Sequence, residues 1–331
     1  MKHIRLVVLI LLGLAVRAVA QDLHYTQFYH NPMHYSPAQA GAFQGDLRAM
    51  AIYRGQWTSV PVSYQTFALG VDRKLLEFGS NAVGTGLLVQ HDKAGDAGLS
   101  WTQIGLAGSV AHQIDEWNTL SAGFGLGIVQ RRFDISGLKF KNQWTGEVFD
   151  PGLPARESFN RTTGLKPTFS AGLNWRLKAP GTRTRVVAGV GVFHLNRPGI
   201  HFDENSAARL PLRLAGNANS YLQVNQFLDL VVFAGAQQMQ SAREILVGGG
   251  ARIWLNPEET ALQFTLATRL GDAITPALQY EFGDWTLGLS YDWNISPFES
   301  ATTGRGGFEM AVVYRSVPAP PVKAFKSCPV F

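Results

Sequence analysis

Three histidines, His24, His30 and His34, lie close together and alternate with Tyr25, Tyr29 and Tyr35. Imidazoles one helical turn apart can share a metal ion. His30 and His34 have that i, i+4 spacing, but Pro32 lies between them and is tolerated only in the first turn of a helix. The spacing alone is weak, so the cluster reads as hydrogen-bonded packing, and no metal or other cofactor is expected. His91, His112, His194 and His201 fall at strand ends or loops, where interfacial roles are commonest. Nucleophilic catalysis needs a positioned His and carboxylate beside its nucleophile. Serines and carboxylates abound here, yet no context singles out a pair and no G-x-S-x-G occurs, so no catalytic residue and no enzyme activity are expected. Gly123-Phe124-Gly125-Leu126-Gly127 resembles a phosphate loop only superficially, because no G-x-G-x-x-G opens a helix. Its glycines read instead as a strand face kept small so that other side chains, or the N-terminal segment, can fill the space.

The elements that must hold these residues follow from composition. The 331 residues are 46% hydrophobic and only 16% charged, with 35 glycines. Soluble domains carry about 25% charge. The mean hydropathy of −0.01 is too polar for a bundle of membrane helices. The N-terminus reads as a secretory signal: Lys2 and Arg5, an apolar run from Leu6 to Val16, and Ala18-Val19-Ala20, with cleavage between Ala20 and Gln21. Its loss removes three of 29 basic residues and leaves 26 against 24 acidic ones, a net charge of +2. The apparent basicity therefore gives no reason to expect a nucleic-acid partner. Cys328 is the single cysteine, so no intrachain disulfide forms. Beyond residue 20 the longest apolar stretches, such as Val186 to Phe193, are far too short for a membrane helix.

The remaining period is two. Leu120, Ala122, Phe124, Leu126 and Ile128 oppose Ser and Gly; Phe169, Ala171, Leu173, Trp175 and Leu177 oppose Ser170, Gly172, Asn174 and Arg176. Trp285, Leu287, Leu289, Tyr291 and Trp293 oppose Thr286, Gly288, Ser290, Asp292 and Asn294, and Phe308 to Tyr314 repeats the pattern around Glu309. Aromatics at strand ends and charges on the small-residue face favour a barrel with lipid outside and a lumen inside over a soluble sandwich. Expected strands lie at 46–54, 62–73, 81–91, 98–112, 117–130, 168–178, 184–194, 209–223, 227–237, 243–255, 260–270, 273–283, 285–294 and 306–316. The fold class is all-β, a transmembrane outer-membrane barrel of about 14 antiparallel strands. With both termini in the periplasm, loops 131–167, 195–208 and 295–305 fall outside and the short connections inside. Strand 243–255, with Gly248-Gly249-Gly250, is expected to contain a bulge or kink.

The expected division is a signal peptide (1–20), a periplasmic or lumen-packing segment (21–45), the barrel (46–316) and a periplasmic tail (317–331) rich in proline. Gln27-Phe28-Tyr29, Asn31-Pro32, Ser36-Pro37-Ala38 and Gly41, followed by Tyr53-Arg54-Gly55-Gln56-Trp57, resemble the PorP/SprF family of type IX secretion proteins from Bacteroidota. Cys328-Pro329-Val330-Phe331 looks like that family's Cys-Pro ending. The motif portion covers about fifty residues, and Ser36 departs from the Asn expected before the second proline. The resemblance implies a barrel that helps a type IX system export, or hold at the cell surface, large adhesins of gliding bacteria. It also implies contacts with the adhesin C-terminal domain and with periplasmic components of the machine.

Arg54, Gln56 and Trp57 fit two roles: simple rim and belt residues, or partners of the 21–45 segment that help form a docking surface. Cys328 is either ordinary tail sequence or part of an interaction motif. Loop 131–167 is the expected partner surface, since it mixes Arg131, Arg132, Lys139 and Lys141 with Phe133, Phe140, Trp144 and Phe149. The competing reading is a passive porin or hydrophobic-solute channel, which a ring of this size can form.

Overall fold

The computed structural model describes residues 23–57, 63–95, 98–134, 138–154, 163–199, 208–256, 259–297 and 299–316. The signal region, Ala20-Gln21 and the tail with Cys328 and Pro329 lie outside them, as does His201. Fourteen antiparallel strands close into one barrel. They are β1 (Leu47–Gln56), β2 (Tyr64–Phe78), β3 (Asn81–Ala94), β4 (Leu99–Gln113), β5 (Asn118–Arg132), β6 (Thr163–Lys178), β7 (Arg185–Phe193), β8 (Arg213–Gln223), β9 (Leu228–Met239), β10 (Ala242–Asn256), β11 (Thr260–Arg269), β12 (Ala273–Phe282), β13 (Trp285–Asn294) and β14 (Arg305–Ser316). Each pairs with its neighbour in sequence, and the ring closes where Leu47 to Gln56 of β1 meet Ser316 to Gly307 of β14. Closure leaves no unpaired edge, the condition for a sheet in hydrocarbon.

Alternation sorts the side chains as the period dictates. Leu69, Leu106, Phe124, Leu173, Phe264, Leu289 and Trp293 stand exposed on the outer wall, while Thr66, Asp72, Gln90, Asp292 and Glu309 are buried inside. Belt aromatics pair across strands, with Trp285 and Tyr314 centroids 4.9 Å apart. On β1 and its neighbours the outward Tyr53 packs on Phe67 at 4.8 Å and on Phe308 at 5.5 Å.

The connections beyond β5 and β7 are long, whereas those at the end where β1 begins and β14 finishes are short. In outer-membrane barrels short turns face the periplasm, which makes that end periplasmic. Two expectations change. Arg131 and Arg132 belong to β5, paired with Gly164 and Thr163, because this hairpin continues as a ladder past the alternating segment; the connection is 133–162. The glycine triplet 248–250 holds unbroken register with both neighbours. The irregularity expected in strand 243–255 falls near its end, at Trp254/Asn256, and the glycines make room: a Cβ on Gly248 would fall 2.7 Å from the Phe233 ring. The register shifts lie at Lys74/Leu76, Trp254/Asn256 and Asp292/Trp293.

Candidate functional site

The lumen is filled by the chain's own N-terminal segment. From Asp46 at the periplasmic end the chain runs backwards up the inside of the barrel, so that Thr26 reaches the extracellular half. It forms three short 3-10 turns, Phe28–His30, Pro32–His34 and Pro37–Gln39. Pro32 and Pro37 each open a turn, where the missing N–H costs nothing. These turns house Pro32 between His30 and His34, so the two imidazoles do not share a helical face. Ser36, which departs from the family pattern, caps the third turn by accepting from the Ala38 N–H at 3.3 Å. Serine and asparagine are near-equal caps, so the departure keeps the function.

Across β3 and β5 to β7 the wall facing this segment is glycine. A Cβ on Gly123 would collide with the Ala38 backbone, on Gly172 with Ser36 Oγ, on Gly191 with the Tyr35 carbonyl and on Gly84 with the Ala40 carbonyl. The small faces of these strands are thus the mould of the turn at 35–40. Gly41 needs its own freedom, with φ +67° and an N–H donating to Asp72 Oδ2 at 2.7 Å. The same carboxylate is held by Arg48 through two bonds of 2.8 Å.

The segment's far end is fastened by charge. The Thr26 and Gln27 backbone N–H groups donate to the two oxygens of Glu309 at 2.8 and 2.7 Å. Thr26 Oγ1 donates to Asp292 at 2.8 Å and accepts from Arg54 at 2.9 Å and Arg269 at 2.8 Å, the full capacity of a hydroxyl. Arg54 also meets Asp292 at 2.5 Å and Glu309 at 3.3 Å. Arg269 bonds Asp292 and Asp272, both at 2.9 Å. Two guanidinium groups from β1 and β11 and carboxylates from β13 and β14 therefore converge on one threonine. Arg54 is 1% exposed, so losing one partner would strand a buried charge at a cost of about 3–5 kcal/mol. These inward charges are bonded to the lumen segment and to one another.

Between fastening and mould the aromatics pack. Phe28 contacts Tyr29, Tyr35 and Phe233 with centroids 5.1 to 5.9 Å apart. Arg213 donates from Nη2 to the His34 carbonyl at 2.9 Å while stacked over Phe193, and Gln90 bonds the Tyr25 hydroxyl at 2.8 Å. Burial, with Arg54 and Arg269 nearby, holds His24 well below the usual imidazole range. Burial, with Arg315 nearby, pushes His30 down to about 3. No cluster of His, Cys, Asp or Glu among the described residues suits a metal. Asn31 is fully buried with neither side-chain atom hydrogen-bonded.

Of the residues singled out by sequence, Gln27, Phe28, Tyr29, Asn31, Pro32, Pro37 and Gly41 come together in the lumen. Arg54 joins them and Gln56 is buried on the same inner face, whereas Tyr53 faces outward. Trp57 stands at the extracellular rim with φ +55°, its N–H on the Gly306 carbonyl at 2.7 Å and its ring edge-on to Tyr64. The outer-loop residues form a separate small fold. Trp144 bridges Phe149, Lys139 lies 5.1 Å from the Phe149 ring, and the Phe140 N–H donates to Gln143 Oε1 at 3.1 Å. Trp144 and Val148 remain 55% and 61% exposed. Thr26, Glu244, Arg269 and Arg213 were not singled out; an inward charge at a matching height on β1, β10, β11, β13 and β14 was the available signal.

No proteins of curated function match this chain. Among solved structures it is similar to the Ralstonia pickettii toluene transporter TbuX, with 13% identity over 86% of this chain and 93% of that one and a TM-score of 0.50. The CymD monoaromatic hydrocarbon channel matches at 9% identity over 88% and 93% with a TM-score of 0.49. BamA from Haemophilus ducreyi lacking POTRA domains 1–3 matches at 9% over 82% and 70%, with a TM-score of 0.44. The likeness to TbuX is one of barrel architecture. The profile of the type IX secretion system membrane protein PorP/SprF matches residues 18–314, taking in both the lumen segment and the strands that clasp it. A barrel so matched resides in the outer membrane, and the chain belongs to the PorP/SprF family of type IX secretion system membrane proteins.

Proposed function

We propose that this protein is a non-enzymatic component of type IX secretion that supports export or surface attachment of large, gliding-type adhesins by binding their C-terminal domain at its extracellular face. The observation that carries the reading is the filled lumen. A segment fastened by buried ion pairs and fitted to a glycine mould suits a holding scaffold better than a conduit for small solutes. The loop around Trp144 is the docking surface of this proposal, because it is folded on itself yet presents Trp144 and Val148 to solvent. Exposed aromatics of this kind anchor protein interfaces. In the same reading the signal peptide is cleaved between Ala20 and Gln21, and the tail 317–331 with Cys328 and Pro329 meets periplasmic components.

Deleting 136–160 is expected to abolish adhesin retention on intact cells while the barrel keeps its heat-modifiable gel migration; retained adhesin would overturn the assignment of the surface. Trp144→Ala is the finer version, with an expected loss of about tenfold or more in affinity for an isolated adhesin C-terminal domain. The rival porin reading predicts steady conduction of small solutes in liposomes and capture of no partner.

A further inference from the structure

Below the fastened segment, the periplasmic half of the lumen gathers arginines from opposite walls. Arg48 on β1 and Arg315 on β14 come from one side, Arg185 on β7 and Arg252 on β10 from the other. Arg315 lies within electrostatic reach of Arg48, Arg185, Glu281 and Tyr221, and Arg252 of Arg185, Glu281 and Tyr221. The available carboxylates are already taken: Arg48 holds Asp72, Arg183 holds Asp229 at 2.9 Å, and Arg252 pairs with Glu281. Among the described residues, Arg185 and Arg315 have no carboxylate within ion-pair distance. Like charges gathered inside a low-dielectric wall repel strongly, and an anion between them would turn that repulsion into attraction.

Two further observations indicate a ligand. Gln263 on β11 and Gln279 on β12, 1% and 2% exposed, each leave Oε1 unbonded. The ceiling is His30, which lies beside Gln279 and Arg315 although neither ring nitrogen makes a hydrogen bond of good geometry. Buried polar atoms left in this state are costly. The wall is also aromatic: Arg185 stacks on Tyr221 at 4.1 Å, and Arg252 lies 4.4 Å from the Trp254 ring.

We propose that the periplasmic end of the lumen, where these arginines gather below the chain's own segment, binds a carboxylate-rich peptide segment of a periplasmic partner. Guanidinium groups pair with carboxylates in forked geometry, and the stacked arginines and aromatics offer flat surfaces to a peptide backbone. Arg185, Tyr221 and Arg315 are only partly buried, so a chain entering from the periplasm meets them first. The inference concerns the periplasmic end and stands independently of cargo binding at the outer loop.

The test uses the mature protein in detergent and a rhodamine-labelled hexaglutamate peptide, read by fluorescence anisotropy at low salt. Saturable binding is expected, absent for hexalysine and weakened about tenfold or more in Arg185→Gln/Arg315→Gln. Arg243→Gln, at the extracellular end of β10, should leave it unchanged. Heat-modifiable migration confirms that each variant is folded. Equal affinity in the double variant, or no hexaglutamate binding to folded wild-type protein, overturns the proposal. Inorganic phosphate that saturates the site while hexaglutamate fails to bind would overturn it equally, by making this a small-anion site.

Discussion

The two halves of the lumen use the same residue types to opposite ends. In the extracellular half Arg54 and Arg269 face Asp292, Glu309 and Asp272, and the one hydroxyl among them is saturated. In the periplasmic half, among the described residues, Arg185 and Arg315 have no carboxylate within ion-pair distance, while Asp72, Asp229 and Glu281 are held by Arg48, Arg183 and Arg252. Balanced charge fixes one structure, whereas an excess of one sign keeps a place for something else. Burial alone does not separate the halves, since Arg54 and Arg252 are both almost fully enclosed. Neutralisation does.

The largest expected effect comes from breaking the balanced half. Arg54→Ala strands Asp292 and Glu309 and should cost about 3–5 kcal/mol. Planar-bilayer recordings should show channel openings in this variant that the wild type lacks; a silent variant with unchanged thermal unfolding would mean that the segment is held elsewhere. Next comes Gly123→Val, which pushes a side chain into the Ala38 backbone while leaving the ladder intact. It should destabilise by about 1–3 kcal/mol, with hydrogen exchange rising at 36–40 while the strands stay protected.

Acid should act more gently. His30, ordinarily near 6.5, is lowered to about 3 in the folded protein. The folded state therefore binds fewer protons than the unfolded one between those values. The contribution is present in full above about 6.5 and falls as the pH drops toward 3, with His24 acting in the same direction. Protection factors at 26–36, corrected for the intrinsic pH dependence of exchange, should fall from pH 7 to pH 5, and His30→Gln should flatten that dependence. The smallest effect belongs to Arg185→Gln/Arg315→Gln: unfolding should shift by no more than about 1 kcal/mol, toward greater stability if anything. A loss as large as that of Arg54→Ala would erase the distinction between the halves.

The barrel was legible because alternation is a local property: Trp285 to Asn294 shows both faces without knowledge of any partner, and that strand falls where expected. Strand ends were less so, since Arg131 and Arg132 join β5 only because Gly164 and Thr163 stand opposite them. The glycines of β5 were readable as a face kept small, although what fills the space depends on the path of the 35–40 turn. Arg54 stood out through the motif that contains it. Arg269 and Thr26 did not, because what they do requires β1, β11, β13 and β14 to meet the N-terminal segment, a conjunction that no window of sequence contains.

Thr26 and Gln27 bind Glu309 across 283 and 282 residues of chain, while Arg54 on β1 and Glu309 on β14 are direct register partners at the seam. The segment that fills the lumen therefore also bridges, from within, the ladder that closes the ring. Joining the first and last strands is the most entropically demanding step in the ring. A leading segment that grips both sides of that junction couples two long-range closures through one carboxylate: Glu309 belongs at once to the seam and to the clasp on the lumen segment.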